Sequence, residues 1–499
     1  MRKRQRIEVA GKVSAGRTSL ATPGSSTALS YGTPRGRWVI AATVLGSGMA
    51  MLDATVVGIA LPSISRSFRS EIGTLQWVVT GYSLTLAAFL LLGGSLGDRF
   101  GRRKIFSIGV LWFAIASALC GLAPNATVLI VARVLQGVGG ALLTPASLAL
   151  LQASFREEDR SRAIGAWSGL GGLAAATGPL VGGYLIAAAS WRWVFFINVP
   201  IATGVLVLTA RHVPESSDAS VTGRTDGSGA ALAVLILTGI TYGLIEGPNQ
   251  GWSSAEVLVA LALAGVLAPV FVAVERRRKS PMLPLTVFRS KQFSAANAVT
   301  FVVYGALSGA FFLLPIELQI VDDYSPLSSG LALLPVTAIM LVFSARSGQL
   351  AARIGPRLQM SVGPVVVGAG LLLLTRASSP GGYLVAVLPA VVVFGAGLAI
   401  TVAPLTSTAM AAVPAEHAGV ASAINNAVAR SAGLFAVAIL PFLAGIHGAA
   451  SLAPSHFGGG FRVAIVIAAC AAALGGLLAS ATISNRSGAA SPRSSLLRG

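Results

Sequence analysis

Apolar residues run through this chain in long unbroken stretches, and polar residues gather in the short segments between them. Fourteen stretches begin roughly at residues 38, 74, 105, 128, 163, 194, 228, 255, 293, 327, 359, 382, 418 and 461. Each is long enough for a helix that crosses a bilayer, which needs about 20 residues. A backbone crossing hydrocarbon must satisfy its own hydrogen bonds, so the stretches are expected to be helices. The predicted fold class is an all-α polytopic membrane protein with 14 transmembrane helices.

Composition agrees, with 54% hydrophobic and 11% charged residues, where soluble domains carry about 25% charge. A net charge of +19 raises nucleic-acid binding, and the distribution of the charge argues against it. With both termini placed in the cytoplasm, five of the 36 Lys and Arg fall outside (Arg66, Arg69, Arg192, Arg376, Arg462), two lie within helices (Arg133, Arg430), and the other 29 face inward. That asymmetry is the positive-inside pattern of membrane proteins. The clusters Arg2–Arg6, Arg102–Lys104 and Arg276–Lys279 are therefore expected to meet anionic lipid headgroups, not nucleic acid. Cys120 and Cys470 lie inside apolar stretches and read as packing residues.

Residues 1–37 are basic and rich in Ser, Thr and Gly, and are expected to form a disordered cytoplasmic tail. No cleavable signal peptide is visible, so the first span is expected to serve as an uncleaved targeting signal. Six spans occupy 38–212, a polar cytoplasmic linker 213–227, two further spans 228–275, a basic connector 276–292, six more spans 293–485, and a second tail 486–499. An internal repeat supports this division. Gly94-Ser-Leu-Gly97-Asp98-Arg99-Phe-Gly101-Arg102-Arg103 aligns without gaps to Gly348-Gln-Leu-Ala-Ala352-Arg353-Ile-Gly355-Pro-Arg357, an offset of 254 that also places Gly165 on Gly419. Two related six-helix halves that rock about a central site are a known transporter plan.

The first copy of that repeat, with Lys104 after it, resembles the loop signature of the Major Facilitator Superfamily, whose members gate by making and breaking contacts there. Glycines allow a tight turn and close helix approach, and Asp98 is placed to bond helix-end amides or a neighbouring Arg. Arg133-Val-Leu-Gln136-Gly137-Val-Gly-Gly140 looks like the superfamily segment whose Arg is linked to proton transfer. Gly178-Pro179-Leu-Val-Gly182-Gly183 is similar to its antiporter motif. Trp191-Arg-Trp-Val-Phe-Phe-Ile-Asn198-Val-Pro200 and Leu52-Asp53-Ala-Thr55-Val-Val-Gly58-Ile-Ala-Leu-Pro62 resemble patterns of fourteen-span drug:proton antiporters. The resemblance covers residues 38 to about 485 and implies two six-helix bundles plus two extra central helices. Gly58 stands where the family usually has Asn, and Ala352 where the repeated loop would have Asp.

Asp53 is the one carboxylate that counting places deep in a span, roughly 22 Å above the inner face. That leaves it about 8 Å below the outer surface of a 30 Å core. Arg133, entering from the outside, falls at the same depth, also roughly 8 Å. Asp53 is expected to bind and release the coupling proton while Arg133 tunes it, because desolvation and a nearby guanidinium move a carboxyl in opposite directions. The alternative is a permanent structural ion pair. Arg430, near mid-depth of the thirteenth span, meets either an anionic substrate group or backbone carbonyls of a neighbouring helix, and the structural role is preferred. Glu246 and Glu317 fall near outer helix ends and Asp322 and Asp323 just outside, positions usual for solvated acids. Glu317 keeps a proton or cation role in view because Pro315 precedes it and the helix is expected to open there. Gly165, Gly169 and Gly172, continuing to Gly178, Gly182 and Gly183, would line a face suited to sliding or to close packing.

Two nucleotide-like patterns fail. Gly11-Lys-Val-Ser-Ala-Gly16-Arg17-Thr18 has Arg for the phosphate-loop Lys and no preceding strand, and Gly169-Leu-Gly171-Gly-Leu-Ala174 lies inside an apolar helix. His212, His417, His447 and His456 have no partner at metal-ligand spacing. No cofactor is expected beyond a proton gradient. The expected function is proton-driven export of small amphipathic molecules by a monomer in the bacterial inner membrane, the antiporter-like segment favouring this direction. Proton-coupled uptake of a nutrient or metabolite is the alternative. A membrane enzyme or sensor would need a catalytic cluster or signalling domain, and neither is visible. The identity of the substrate stays open.

Overall fold

The computed structural model describes residues 29–217, 226–278, 281–377, 382–414, 418–448 and 450–485. Fourteen helices are long and apolar enough to cross a membrane. The first six are α1 (Pro34–Phe68), α2 (Ile72–Phe100), α3 (Arg102–Leu122), α4 (Ala126–Ser154), α5 (Glu157–Ala188) and α6 (Trp193–His212). Two more follow, α7 (Gly227–Gln250) and α8 (Ala255–Arg277). The last six are α9 (Lys291–Ile320), α10 (Pro326–Ile354), α11 (Arg357–Leu374), α12 (Tyr383–Ala411), α13 (Gly419–Leu443) and α14 (Pro454–Thr482).

Helix starts follow capping chemistry more than hydropathy. Thr33 accepts the Gly36 amide at 3.1 Å and Pro34 occupies the first turn, so α1 starts at Pro34 and not near Trp38. Asp226 caps α7 through the Gly229 amide at 2.8 Å, and Ser290 caps α9 through Phe293 at 3.3 Å. The expected disordered tail is also shorter than residues 1–37. Leu29 exchanges backbone hydrogen bonds with Ser154 and Arg156, the Tyr31 amide donates to Asp159 at 2.9 Å, and the Arg162 guanidinium lies 4.3 Å from the Tyr31 ring centre. An apolar and an aromatic residue ahead of the first span thus dock on the α4–α5 turn. The rest of that tail, residues 1–28, and the tail 486–499 lie outside the described residues.

The two six-helix halves repeat each other's packing. α1 packs on α5 and α6, and α4 on α2 and α3; correspondingly α9 packs on α13 and α14, and α12 on α10 and α11. The sequence repeat closes α2 and α10 in the same manner. Gly101 (φ 105°) and Gly355 (φ 86°) adopt the backbone region that favours glycine, and each amide bonds back four residues, to Gly97 and Ala351. Beyond each turn, the next helix start is capped from the end of its own half. The Arg103 and Lys104 amides donate to Glu215 at 3.0 and 3.2 Å, and the Arg357 amide donates to Asn485 Oδ1 at 3.0 Å. Glu215 follows the last residue of α6 by three positions and Asn485 follows that of α14 by three.

The halves meet along two main seams, α2 with α13 and α5 with α10, and α1 also touches α9. α7 packs against α2 and α13, and α8 packs mainly on α7. Hydrogen bonds joining described residues of the two halves lie on the side opposite the basic clusters. Gln76 donates to Val437 and Ala438 carbonyls at 2.7 and 2.9 Å, and Gln319 donates to Ile59 at 3.0 Å. One face of α5 shows how the seam changes along its length. Gly165, Gly169, Gly172, Ala176, Pro179 and Gly183 recur at helical spacing. At its far end a Cβ on Gly183 would strike Leu327, and Gly330 abuts the Pro179 carbonyl. Toward the basic side a Cβ at Gly172, Gly169 or Gly165 would meet nothing within 4 Å. The expected sliding face is therefore split: Gly178 and Gly182 abut α1, while Gly183 joins Gly165, Gly169 and Gly172 on a face packed at one end and open at the other.

Candidate functional site

Asp53, Arg133 and Gln136 meet in the interior of the first half, and Asn198 joins them. Asp53 is 0% exposed, Arg133 1%, Gln136 0% and Asn198 0%. Arg133 Nη1 donates to Asp53 Oδ2 at 2.6 Å and to Gln136 Oε1 at 2.7 Å, while Arg133 Nε donates to the Val78 carbonyl at 3.1 Å. The other Asp53 oxygen receives Gln136 Nε2 at 2.9 Å and Asn198 Nδ2 at 3.3 Å. Asn198 also donates to Ser117 at 3.0 Å, and Ser117 donates to the Phe195 carbonyl at 2.8 Å. The Tyr82 ring covers the guanidinium, 4.2 Å from its centre. Spacing along α4 explains part of this, because Arg133 and Gln136 are three residues apart and share a face. Gly137 does the rest: a Cβ there would collide with Thr85 and the Tyr82 carbonyl, so glycine lets α4 approach α2.

Paired with each other and hydrogen-bonded to Gln136, Asn198 and the Val78 carbonyl, Asp53 and Arg133 are tolerated in the interior. Removing one partner costs about 3–5 kcal/mol because the other charge is left buried and uncompensated. Any event that neutralises Asp53 therefore puts a penalty of that order on the present arrangement of α1, α2, α4 and α6. Sequence reasoning matched the depths of Asp53 and Arg133 but did not reach Asn198, Ser117 or Tyr82. An Asn in an apolar span was the available signal for Asn198, since buried amides need partners.

The residues of the first loop repeat sit on the last two turns of α2 and the first of α3. Asp98 binds Arg102 at 2.7 Å, a pair four residues apart across the turn. Gly94 and Gly97 face Pro145 and Ala146 of α4 at ordinary contact distance. Arg103 Nη1 reaches the Val213 carbonyl at 3.2 Å, and Arg99 lies over the Phe100 ring at 5.2 Å. Docking of Val213 and Glu215 on this turn ties the start of the linker to the loop.

Gly178 and Pro179 bring α5 against α1 beside the Asp53 level. A Cβ at Gly178 would strike the Thr55 hydroxyl, and one at Gly182 would crowd Val56 at 3.2 Å. Pro179 has no N–H for the Ala175 carbonyl four residues earlier. Thr55 Oγ1 lies 3.1 Å from that oxygen and donates to it from α1.

Several sequence expectations need correction. Glu317 is 1% exposed, so it is not a solvated interface acid; its carboxyl faces Gly458 at the start of α14, which covers this end of α9. The helix does not open at Pro315, and α9 continues to Ile320. Glu246 does lie at a helix end, receiving Trp77 Nε1 at 2.8 Å and Gln250 at 3.1 Å. Cys120 is buried near Gln136, whereas Cys470 is exposed on α14, so only the first is a packing residue. Arg430 belongs to the second half and makes no ion pair with Asp53, but it is within electrostatic reach of Tyr82 and Tyr304. Among the described residues no group of three His, Cys, Asp or Glu is placed to hold a metal.

The chain is similar to known proteins over most of its length. The chain is 40% identical over 387 residues to the multidrug resistance protein Stp of Mycobacterium tuberculosis, covering 77% of this chain and 72% of the relative. It is 35% identical to the tetracenomycin C resistance and export protein of Streptomyces glaucescens, covering 82% of this chain and 76% of that one. Among solved structures, a mutant of the peptide transporter POT in complex with sulfate superposes with a TM-score of 0.66 at 15% identity, covering 91% of this chain and 95% of that chain. At that identity the likeness speaks for the fold alone. Residues 43–438 match the profile of the Major Facilitator Superfamily, and the chain, a multi-pass membrane protein, belongs to that family.

Proposed function

We propose that the protein is a proton-coupled exporter of small amphipathic organic molecules that works by alternating access, with Asp53 as the proton-binding group. The observation that carries this reading is the Asp53–Arg133–Gln136–Asn198 cluster, a buried, hydrogen-bonded ion pair in the half whose α1 and α2 also contact the other half. Relatives named for multidrug resistance and antibiotic export support the direction. The basic side is taken as cytoplasmic, with both termini there, following the distribution of Lys and Arg.

On this reading the structure is open toward the cytoplasm and closed outside. A substrate enters between α5 and α10 along Gly165, Gly169 and Gly172, where the face is open. Closing the inner end brings that face onto α10 and breaks the outer contacts at Gln76, Gln319 and Gly183. A proton arriving from outside neutralises Asp53 in the outward-open form, and return to the present arrangement, which a neutral Asp53 destabilises, expels the proton to the inner side as the Asp53–Arg133 pair reforms. Asp98, Arg102 and Glu215 reform their inner contacts on each cycle. The chain needs a proton gradient and no bound cofactor, acts as a monomer, and meets anionic lipid through its basic clusters.

The test uses inside-out vesicles energised to be acidic inside, with a pH dye reporting the proton gradient. Amphipathic cations, neutral antibiotics and organic anions are added in turn. Release of protons by at least one class, absent in empty vesicles, is expected. No response to any compound, together with accumulation of a nutrient in uptake assays, would replace export with uptake.

A further inference from the structure

Arg430 is a membrane-embedded cation that the proton-coupling cluster does not use. Among the described residues it makes no ion pair, and its Nε is buried without a hydrogen-bond partner. Asp53 does not serve it, since its hydrogen bonds come from Arg133, Gln136 and Asn198 and its ion pair is with Arg133. A guanidinium stays charged in any protein environment, so it cannot relieve its burial by losing a proton. Ionisable groups at such depth without a partner mark sites where a partner arrives.

The position of Arg430 shows where that partner would sit. It lies seven residues, roughly 10 Å, inward of Val437 on the same face of α13. Val437 is where α13 receives Gln76 of α2. Moving the same distance along antiparallel α2 from Gln76 leads to Tyr82 and Ser83, and Arg430 is within electrostatic reach of the Tyr82 hydroxyl. Arg133 lies on the Tyr82 ring, so one phenol separates the ion pair of the first half from the unpaired cation of the second. The wall beside Arg430 is polar in a pattern that packing alone does not require. Asn297, Thr300, Tyr304 and Ser308 recur along one face of α9, with Asn425 of α13 donating to Asn297 at 3.2 Å and to Thr300 at 2.8 Å. Tyr304 lies near Thr406 of α12 and within electrostatic reach of Arg430. This polar stripe leads from the basic side of the second half to the guanidinium.

We propose that Arg430 is the anion-recognition group of the transport site, and that favoured substrates carry an oxyanion, a carboxylate or an acidic phenol, on an apolar body. A planar guanidinium with several parallel donors matches an oxyanion better than it matches a lone carbonyl. This rests on the export reading for its biological direction, but the recognition itself is an equilibrium property that needs no gradient.

The experiment uses purified full-length protein in nanodiscs of zwitterionic phosphatidylcholine, so that no lipid of net negative charge competes. Dansyl-phenylalanine and its methyl ester, alike except for the charge, are titrated at neutral pH and followed by fluorescence. The wild-type protein is expected to bind the acid at least tenfold tighter than the ester. Arg430→Gln is expected to lose that preference, and Arg430→Lys to keep part of it, since it retains the charge without the planar fork. Because the readout is a ratio within each variant, loss of folded protein affects both ligands equally. An acid preference that survives in Arg430→Gln, or that is absent from the wild type, overturns the proposal. Failure of every compound to move protons in vesicles, with the Arg430-dependent preference intact, would instead remove the export reading and leave the anion site standing.

Discussion

Pro179 withholds a donor from the Ala175 carbonyl, and the Thr55 hydroxyl from another helix replaces it at 3.1 Å. The same hydroxyl lies 2.9 Å from the Leu52 carbonyl, but that oxygen is inside α1 and already has a helical donor. Thr55→Val keeps the side-chain shape and removes the proton. Leaving a sequestered carbonyl unsatisfied costs about 1–3 kcal/mol. Pro179→Ala supplies an N–H four residues along, so on that background the same Thr55→Val change should cost only about 0.5 kcal/mol. The double-mutant cycle is therefore expected to show a coupling of about 1 kcal/mol or more, larger than the ~0.3–0.5 kcal/mol scatter of independent sites. Reversible unfolding in mixed micelles measures the four stabilities. Additive losses would refute the idea that Thr55 serves the carbonyl freed by Pro179, and would leave Gly178 and Pro179 as packing residues alone.

Gly169→Leu fills open space in the present state and is expected to leave thermal stability unchanged. Overpacking of about 1–3 kcal/mol would then fall on the inner-closed state alone, a roughly 5- to 150-fold shift toward the open form; spin-label distances across the basic ends and turnover would report it, and wild-type turnover would contradict it. Glu215→Ala and Asn485→Ala each remove a cap from the start of a helix and should cost about 1 kcal/mol. Their losses should add in unfolding measurements, since they serve different halves. Burial works against the charge of Asp226, yet the Gly229 amide, Glu275, Ser228 and Arg278 hold its carboxyl below the usual carboxylate range. A group lowered in the folded state stabilises above its unfolded value and loses that contribution as pH falls through the folded one. Docking of α7 should thus weaken only below about pH 4, and Asp226→Asn should flatten that acid limb in hydrogen exchange at the α7 start.

Local physics made the spans legible. Apolar length gave fourteen helices, and rise per residue put Asp53 and Arg133 at one depth before any contact was known. The Gly101 and Gly355 turns were legible too, because each needs glycine at a positive φ. Long-range partners were not. Asn198 reaches Asp53 across 145 positions and Gln76 reaches Val437 across 361, and nothing in the local pattern specifies which buried amide finds which carbonyl. Glu317 sits where a helix-end acid is usually wet, and only the placement of α14 shows that it is covered. Likewise Leu29 and Tyr31 look like tail residues until the α4–α5 turn gives them a surface.

The most direct test of the account compares uphill pumping with exchange in Asp53→Asn. Purified wild-type and variant proteins are placed in vesicles with a substrate identified in the proton-release assay. The expected result is that the variant still exchanges labelled for unlabelled substrate, proving it folded and able to alternate. It should no longer accumulate substrate against a gradient or move protons with it. An Asp53→Asn protein that pumps uphill with an unchanged proton requirement would contradict the assignment of Asp53 and return the cluster to a structural ion pair.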